Sequence, residues 1–154
     1  MGTFALVPLI ADRVRAPVIA AGGIADARGV RAALTLGAQA AQIGTAFLAC
    51  VESGASDAHR QLLFSESAQS TTLTRAFSGR LARGIRNRWT TELATHMDQL
   101  PPFPVQSWFT GQMRAAAIAR GRSDLVSLWS GQIAPNLVHR SAADLMQALT
   151  HKHA

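Results

Sequence analysis

The sequence predicts an α/β protein: two strand–helix units of a parallel barrel at residues 17 to 48, followed by a mainly helical extension. Two short apolar segments each end in glycine, as buried parallel strands do before a tight turn. Between them lies one helical stretch of the length that a right-handed crossover requires. After residue 51 the spacing turns helical, and no later segment matches those two strands. Residues 1–50 are therefore expected to form the barrel part, with 51–154 packing on it as the extension.

Each element has a local reason. In LVPLIADRV, Leu6, Leu9, Ile10 and Val14 recur at helical spacing, and Pro8 suits a first turn, where its missing N–H costs nothing. Pro17 breaks that helix, and PVIAA reads as a strand covered on both faces. Gly22 and Gly23 close it. Asp26 is a candidate N-cap for a helix from Ala27 to Leu36, and Gly37 suits its C-terminus. The pattern repeats with a strand from Ala40 to Ile43, a turn at Gly44 and a helical stretch from Thr45 to Cys50. Further helices are expected near 58–66, 88–99, 105–120 and 141–150, separated by glycines and prolines.

Composition narrows the class. The chain has 154 residues, 48% hydrophobic and 16% charged, as in folded globular proteins. No apolar run reaches the ~18 residues of a membrane span, and the N-terminus lacks a secretory pattern. One cysteine, Cys50, excludes an internal disulfide and suits a reducing compartment, so a cytoplasmic location is expected. The formal net charge of +6 is almost wholly arginine and favours anionic partners. Nucleic acid is not expected, because no stacking aromatics interleave with the arginines.

A complete TIM-type (β/α)8 barrel needs about 250 residues, and two parallel strands make no stable sheet alone. The barrel is therefore expected to be incomplete in this chain. Met1-Gly2-Thr3 leads straight into a helix, which suggests either a truncated product or a sheet completed by homo-oligomerisation.

The residues with chemical meaning sit at the two strand ends: Gly22 and Gly23 in AAGGI, then Gln42, Ile43, Gly44 and Thr45 in QIGT. Glycine lets backbone approach a bulky dianion, and N–H groups at a helix start point towards one. Thr45 adds a hydroxyl, and Gln42 lies within reach of phosphate or ribityl groups. Two such turns separated by one crossover predict a phosphate site of the kind found at barrel strand ends.

The run VPLIADRVRAPVIAAGGIADARGVRAALTLGAQAAQIGTAFLACVES resembles the C-terminal barrel segment of nitronate monooxygenases, formerly 2-nitropropane dioxygenases. The resemblance continues through FSGRLARGIRN (Phe77 to Asn87), PFPVQ (Pro102 to Gln106) and LWSGQ (Leu128 to Gln132). It implies FMN-dependent oxidation of alkyl nitronates by O2, without a nicotinamide cofactor. The FMN phosphate would be held by Gly23 and by Gln42, Ile43, Gly44 and Thr45, with Gly22 beside them. The family's catalytic histidine corresponds to no residue here, so no catalytic residue is assigned and the chain alone is expected to be inactive. The alternatives are an FMN-dependent enoyl-ACP reductase-like barrel and a non-catalytic remnant.

The other polar features read as structural. His59 and His96 fall among polar neighbours and are expected at the surface, and His151 and His153 end the chain. No HExxH or CxxC spacing supports a metal site. Cys50 reads as a small buried hydrophobe. Arg80, Arg83, Arg86 and Arg88 would line a helix side or a glycine-broken loop, either as a solvated row or as a guide for an anionic substrate. Trp129 reads as a packing anchor.

Overall fold

A computed structural model describes residues 1–150, so His151 and His153 lie outside the described residues. The described residues divide into two compact units, one made of 1–55 and the described residues after 135, the other of 56–135.

The first unit opens with α1 (Thr3–Ala11), which starts three residues before the expected helix. The Gly2 carbonyl accepts from Ala5 and Leu6 at 3.1 and 3.0 Å, closing a turn ahead of Leu6. Pro8 consequently lies inside the helix instead of in its first turn. Strand β1 (Ile19–Ala21) follows, then α2 (Ala27–Thr35), β2 (Ala40–Gln42) and α3 (Thr45–Leu48). β1 begins two residues later than PVIAA suggests. Pro17 has no N–H to give a ladder, and the Val18 amide donates instead to the Gln39 side chain at 2.6 Å.

α2 is built as its sequence implies. The Asp26 carboxylate accepts from the Gly29 amide at 3.1 Å, satisfying one of the helix's orphan donors. At the other end, Ala38 N–H donates to Ala33 and Gly37 N–H to Leu34, both at 3.1 Å. This paired closure requires the left-handed conformation that Gly37 adopts at φ +99°.

β1 and β2 pair in parallel, with Ile19 beside Ala40, Ala20 beside Ala41 and Ala21 beside Gln42. Val7, Ala20, Ile24, Ala33 and Ala38 form the core under this sheet. Coverage is one-sided: Ala20 is 2% exposed but Ile19 is 61% exposed, so the second covered face expected of an apolar strand is absent among the described residues.

The C-terminal helix α7 (Ala142–Thr150) belongs to this unit, which a division at residue 50 does not convey. Leu145 and Leu149 pack with Ala46 and Cys50. Both Glu52 carboxylate oxygens accept from the Ala142 amide, at 3.0 and 3.1 Å, placing an anion at the helix start where the dipole favours it.

The second unit holds α4 (Asp57–Leu63), α5 (Arg88–Glu92) and the 15-residue α6 (Val105–Ala119). It also contains an antiparallel hairpin, β3 (Thr71–Thr74) and β4 (Ala82–Ile85), so the expectation of helices alone is corrected. Leu128 to Ser130 run along the other side of β4: Ile85 N–H donates to Leu128 at 2.8 Å and Ser130 N–H to Arg83 at 3.1 Å. Neither TTLT nor ARGI shows clean apolar alternation, because β4 carries an arginine and a glycine. Gly84 is needed for close approach: a Cβ there would sit 2.7 Å from the Leu128 carbonyl oxygen.

The hairpin also changes the setting of the arginine row, which is split between the β3–β4 loop, β4, the segment after it and α5 and so lines no single helix or loop. Arg83 lies on β4 and donates to Thr71 Oγ1 at 3.0 Å, while Arg88 pairs with Glu92 at 2.7 Å in α5. The Arg80 guanidinium sits 4.2 Å from the centre of the Phe103 ring.

Candidate phosphate site and family

The parallel register brings the two glycine turns to one edge of the sheet. Ala21 and Gln42 are ladder partners at the C-terminal ends of β1 and β2. Gly22 and Gly23 follow the first, and Ile43, Gly44 and Thr45 follow the second.

At the first turn Gly22 and Gly23 have φ of +109° and +75°, values that L side chains rarely adopt. Both are exposed. Thr3 meets this turn from α1: its hydroxyl donates to the Ala21 carbonyl at 3.3 Å, and a Cβ on Gly22 would lie 3.1 Å from Thr3 Oγ1. Thr3 was not singled out from the sequence, where nothing but its place near the start of a helix marks it.

At the second turn Gly44 caps α3 and is exposed, with the half-buried Thr45 as the first helical residue. A Cβ on Gly23 or on Gly44 would meet nothing within 4 Å, so open space lies beside both backbones. Among the described residues, neither the Gly23 nor the Gly44 amide donates to a backbone carbonyl. The Gln42 side chain is exposed beside them. Unbonded donors beside open space suit a bulky anion.

The cavities at this edge are separate. One of about 140 Å³ lies among Gly22, Gly23, Thr3, Val7 and α2. The other, about 350 Å³, is bordered by Gly44, Phe47, Cys50 and Glu52. The glycine turns thus share a sheet edge, but each borders its own cavity.

Cys50 is 1% exposed and its Sγ–H donates to the Ala46 carbonyl at 3.3 Å. Burial, reinforced by the Glu52 charge, pushes its thiol up, which keeps it in the inert protonated form. Among the described residues no group of His, Cys, Asp or Glu is arranged to hold a metal ion. No helix there is long and apolar enough to cross a membrane.

His59 corrects its sequence reading. It lies on α4 at 8% exposure, with Nε2 3.0 Å from the Trp129 carbonyl. Burial holds its imidazole below the ordinary range, while the bond to Trp129 works weakly the other way. His96 is exposed, as expected. Trp129 anchors packing: its ring meets Phe77 edge-on, with centres 5.9 Å apart.

Parallel strands linked by a helix, with glycine turns at the strand ends, define an α/β unit of the kind from which barrels are built. The nitronate monooxygenase family model matches residues 1–152, and the chain belongs to that family. It is 46% identical over 132 residues to a probable nitronate monooxygenase of Staphylococcus aureus strain Newman, covering 86% of this chain and 37% of the relative.

Among solved structures, the chain is similar to a nitroalkane oxidase from Streptomyces ansochromogenes. The TM-score is 0.90 at 37% identity, over 97% of this chain and 42% of that one. It is also similar to FabK from Thermotoga maritima, with a TM-score of 0.78 at 32% identity, over 96% of this chain and 47% of that one. The chain therefore spans less than half the length of each of these relatives.

Proposed function

We propose that this chain is the phosphate-holding part of an FMN-dependent oxidoreductase acting with O2 on alkyl nitronates. Gly22, Gly23, Gln42, Ile43, Gly44 and Thr45 would hold the phosphate end of FMN. The observation that carries this reading is the ladder pairing of Ala21 with Gln42, which sets both glycine turns at one sheet edge. Bound FMN supplies the redox chemistry. The chain's own work is to bind and orient: backbone amides at Gly23 and Gly44 meet the dianion, and Gln42 offers an amide beside them. The net charge of +6 would raise the local concentration of an anionic substrate. The chain by itself would bind flavin without turning over, since no residue stands in for the family's catalytic histidine.

The test titrates the purified chain with FMN and with riboflavin, following flavin fluorescence. FMN should bind about tenfold or more tightly, a difference of ~1.4 kcal/mol or greater in favour of the phosphate. Equal affinities, or a chain that stays colourless with both, would overturn the assignment and favour a non-catalytic remnant.

The likeness to FabK favours one second reading, an enoyl-ACP reductase-like barrel with the same phosphate-binding end. The two readings separate in a chimera that supplies the barrel units of the longer relatives. Oxygen uptake with propionate 3-nitronate supports the first, and NADH oxidation with an enoyl thioester supports the second.

A further inference from the structure

The first glycine turn has no side chain of its own to hold it. Gly22 and Gly23 both stand at positive φ and both are exposed. Two successive glycines leave a backbone more freedom than any other pair. A dianion is best met by amides that already point at it, because ordering them on binding costs affinity. The restraint has to come from outside the turn. Among the described residues, one side-chain hydrogen bond reaches residues 21–24 from elsewhere: the Thr3 hydroxyl donates to the Ala21 carbonyl at 3.3 Å.

Thr3 is itself well held. It is the first residue of α1 and half-buried, and the Gly2 carbonyl before it accepts from Ala5 and Leu6 at 3.1 and 3.0 Å. Its β-branch restricts χ1, so the hydroxyl has few directions open to it. It also fits the turn sterically. A Cβ on Gly22 would lie 3.1 Å from Thr3 Oγ1, so the glycine leaves the room that the hydroxyl uses. Thr3, Gly22 and Gly23 border the same cavity of about 140 Å³. Of the residues lining it, Thr3 alone carries a polar side chain.

We infer that Thr3 is a positioning residue for the phosphate turn. By holding the Ala21 carbonyl, its hydroxyl keeps Gly22 and Gly23 in the conformation that presents the Gly23 amide to the dianion. The inference rests on the reading of this sheet edge as the FMN phosphate site. Thr3 acts through the backbone and not on the ligand. A threonine hydroxyl has one proton, and here it goes to Ala21, so towards a phosphate the oxygen would present lone pairs only. The planar peptide carries the effect onward: a fixed Ala21 carbonyl fixes the whole Ala21–Gly22 plane, from which Gly23 follows.

The test compares the whole 154-residue chain with Thr3→Val and Thr3→Ser, titrating each with FMN and with riboflavin by flavin fluorescence. Valine keeps the branched shape and removes the donor, whereas serine keeps the donor and removes the methyl. In Thr3→Val the preference for FMN over riboflavin should fall about fivefold, the worth of one hydrogen bond. Riboflavin affinity should not change, because riboflavin has no phosphate to meet the turn. Thr3→Ser should bring the preference back to within about twofold of the parent. Circular-dichroism spectra of all three should coincide, since residue 3 is only half-buried. An equal loss of both flavins in Thr3→Val would overturn the inference, and so would a loss that serine does not restore, since each marks a packing role. If the parent prefers FMN and Thr3→Val prefers it equally, the inference falls and the phosphate site stands. A parent with no preference removes the phosphate site itself, and the role of Thr3 with it.

Discussion

The imidazole Nε2 of His59 lies 3.0 Å from the main-chain oxygen of Trp129, seventy residues further along the chain. The carbonyl can only accept, so Nε2 carries the proton and the ring is held in one tautomer. Through this bond α4 holds the LWSGQ segment at the point where it bridges to Gly84 on β4. His59→Ala leaves a buried carbonyl unpaired and a small cavity, at a cost of about 2–3 kcal/mol. Urea unfolding monitored by tryptophan fluorescence measures that loss, and His59→Gln should recover part of it.

The same histidine gives the stability a sign with pH. Its folded-state pKa is depressed, so the unfolded chain binds the extra proton first. The stability contribution is fully present above the ordinary imidazole value of about 6.5 and declines as pH falls through it towards the folded value. A urea midpoint series from pH 8 to pH 5 should show this decline in the parent chain and less of it in His59→Gln.

Asp26 also loses its contribution as pH falls, in the more acidic carboxylate range. Its carboxylate is held below the usual range, first by the hydrogen bond from Arg28 and also by the Gly29 amide. Arg28 is largely exposed, so the ion pair adds little, and the cap on α2 is the larger contribution. Asp26→Ala should cost about 1 kcal/mol at neutral pH, and Asp26→Asn much less. Thermal melts check both. The difference between parent and Asp26→Ala should shrink as pH falls through the folded-state pKa.

Gly44 and Gly23 separate binding from folding. Gly44 has φ −103°, so Gly44→Ala strains no backbone, and its methyl enters open space. Stability should stay within ~0.5 kcal/mol, while FMN affinity falls about tenfold, or ~1.4 kcal/mol. At Gly23 the positive φ adds backbone strain, so Gly23→Ala should lose about 1 kcal/mol of stability as well. Unchanged FMN affinity in Gly44→Ala would count against the phosphate assignment.

Gly79 explains why the SGR element needs its glycine. It has φ +79°, and a Cβ there would lie 2.5 Å from the Phe103 amide nitrogen, with Pro101 and Pro102 backbone close behind. Backbone cannot swing aside as a flexible side chain can. Gly79→Ala should therefore destabilise by about 3 kcal/mol or more, readable as a fall in the urea midpoint.

What the sequence determined by itself was local. Asp26 before an apolar-striped run, Gly37 after it and glycines closing two apolar segments specify a strand–helix–strand unit, because caps and turns act within a few residues. The register that pairs Ala21 with Gln42 is set only in the folded sheet. Tertiary structure decided the rest. β3 and β4 have no apolar alternation of their own and exist because each supplies the other's hydrogen bonds, with Leu128 to Ser130 completing the ladder. His59 looks like a surface residue among polar neighbours, yet it is buried because its acceptor comes from seventy residues away. Helix α7 joins Ala46 and Cys50 for the same reason: its apolar stripe states that it must pack, and only the folded chain states against what.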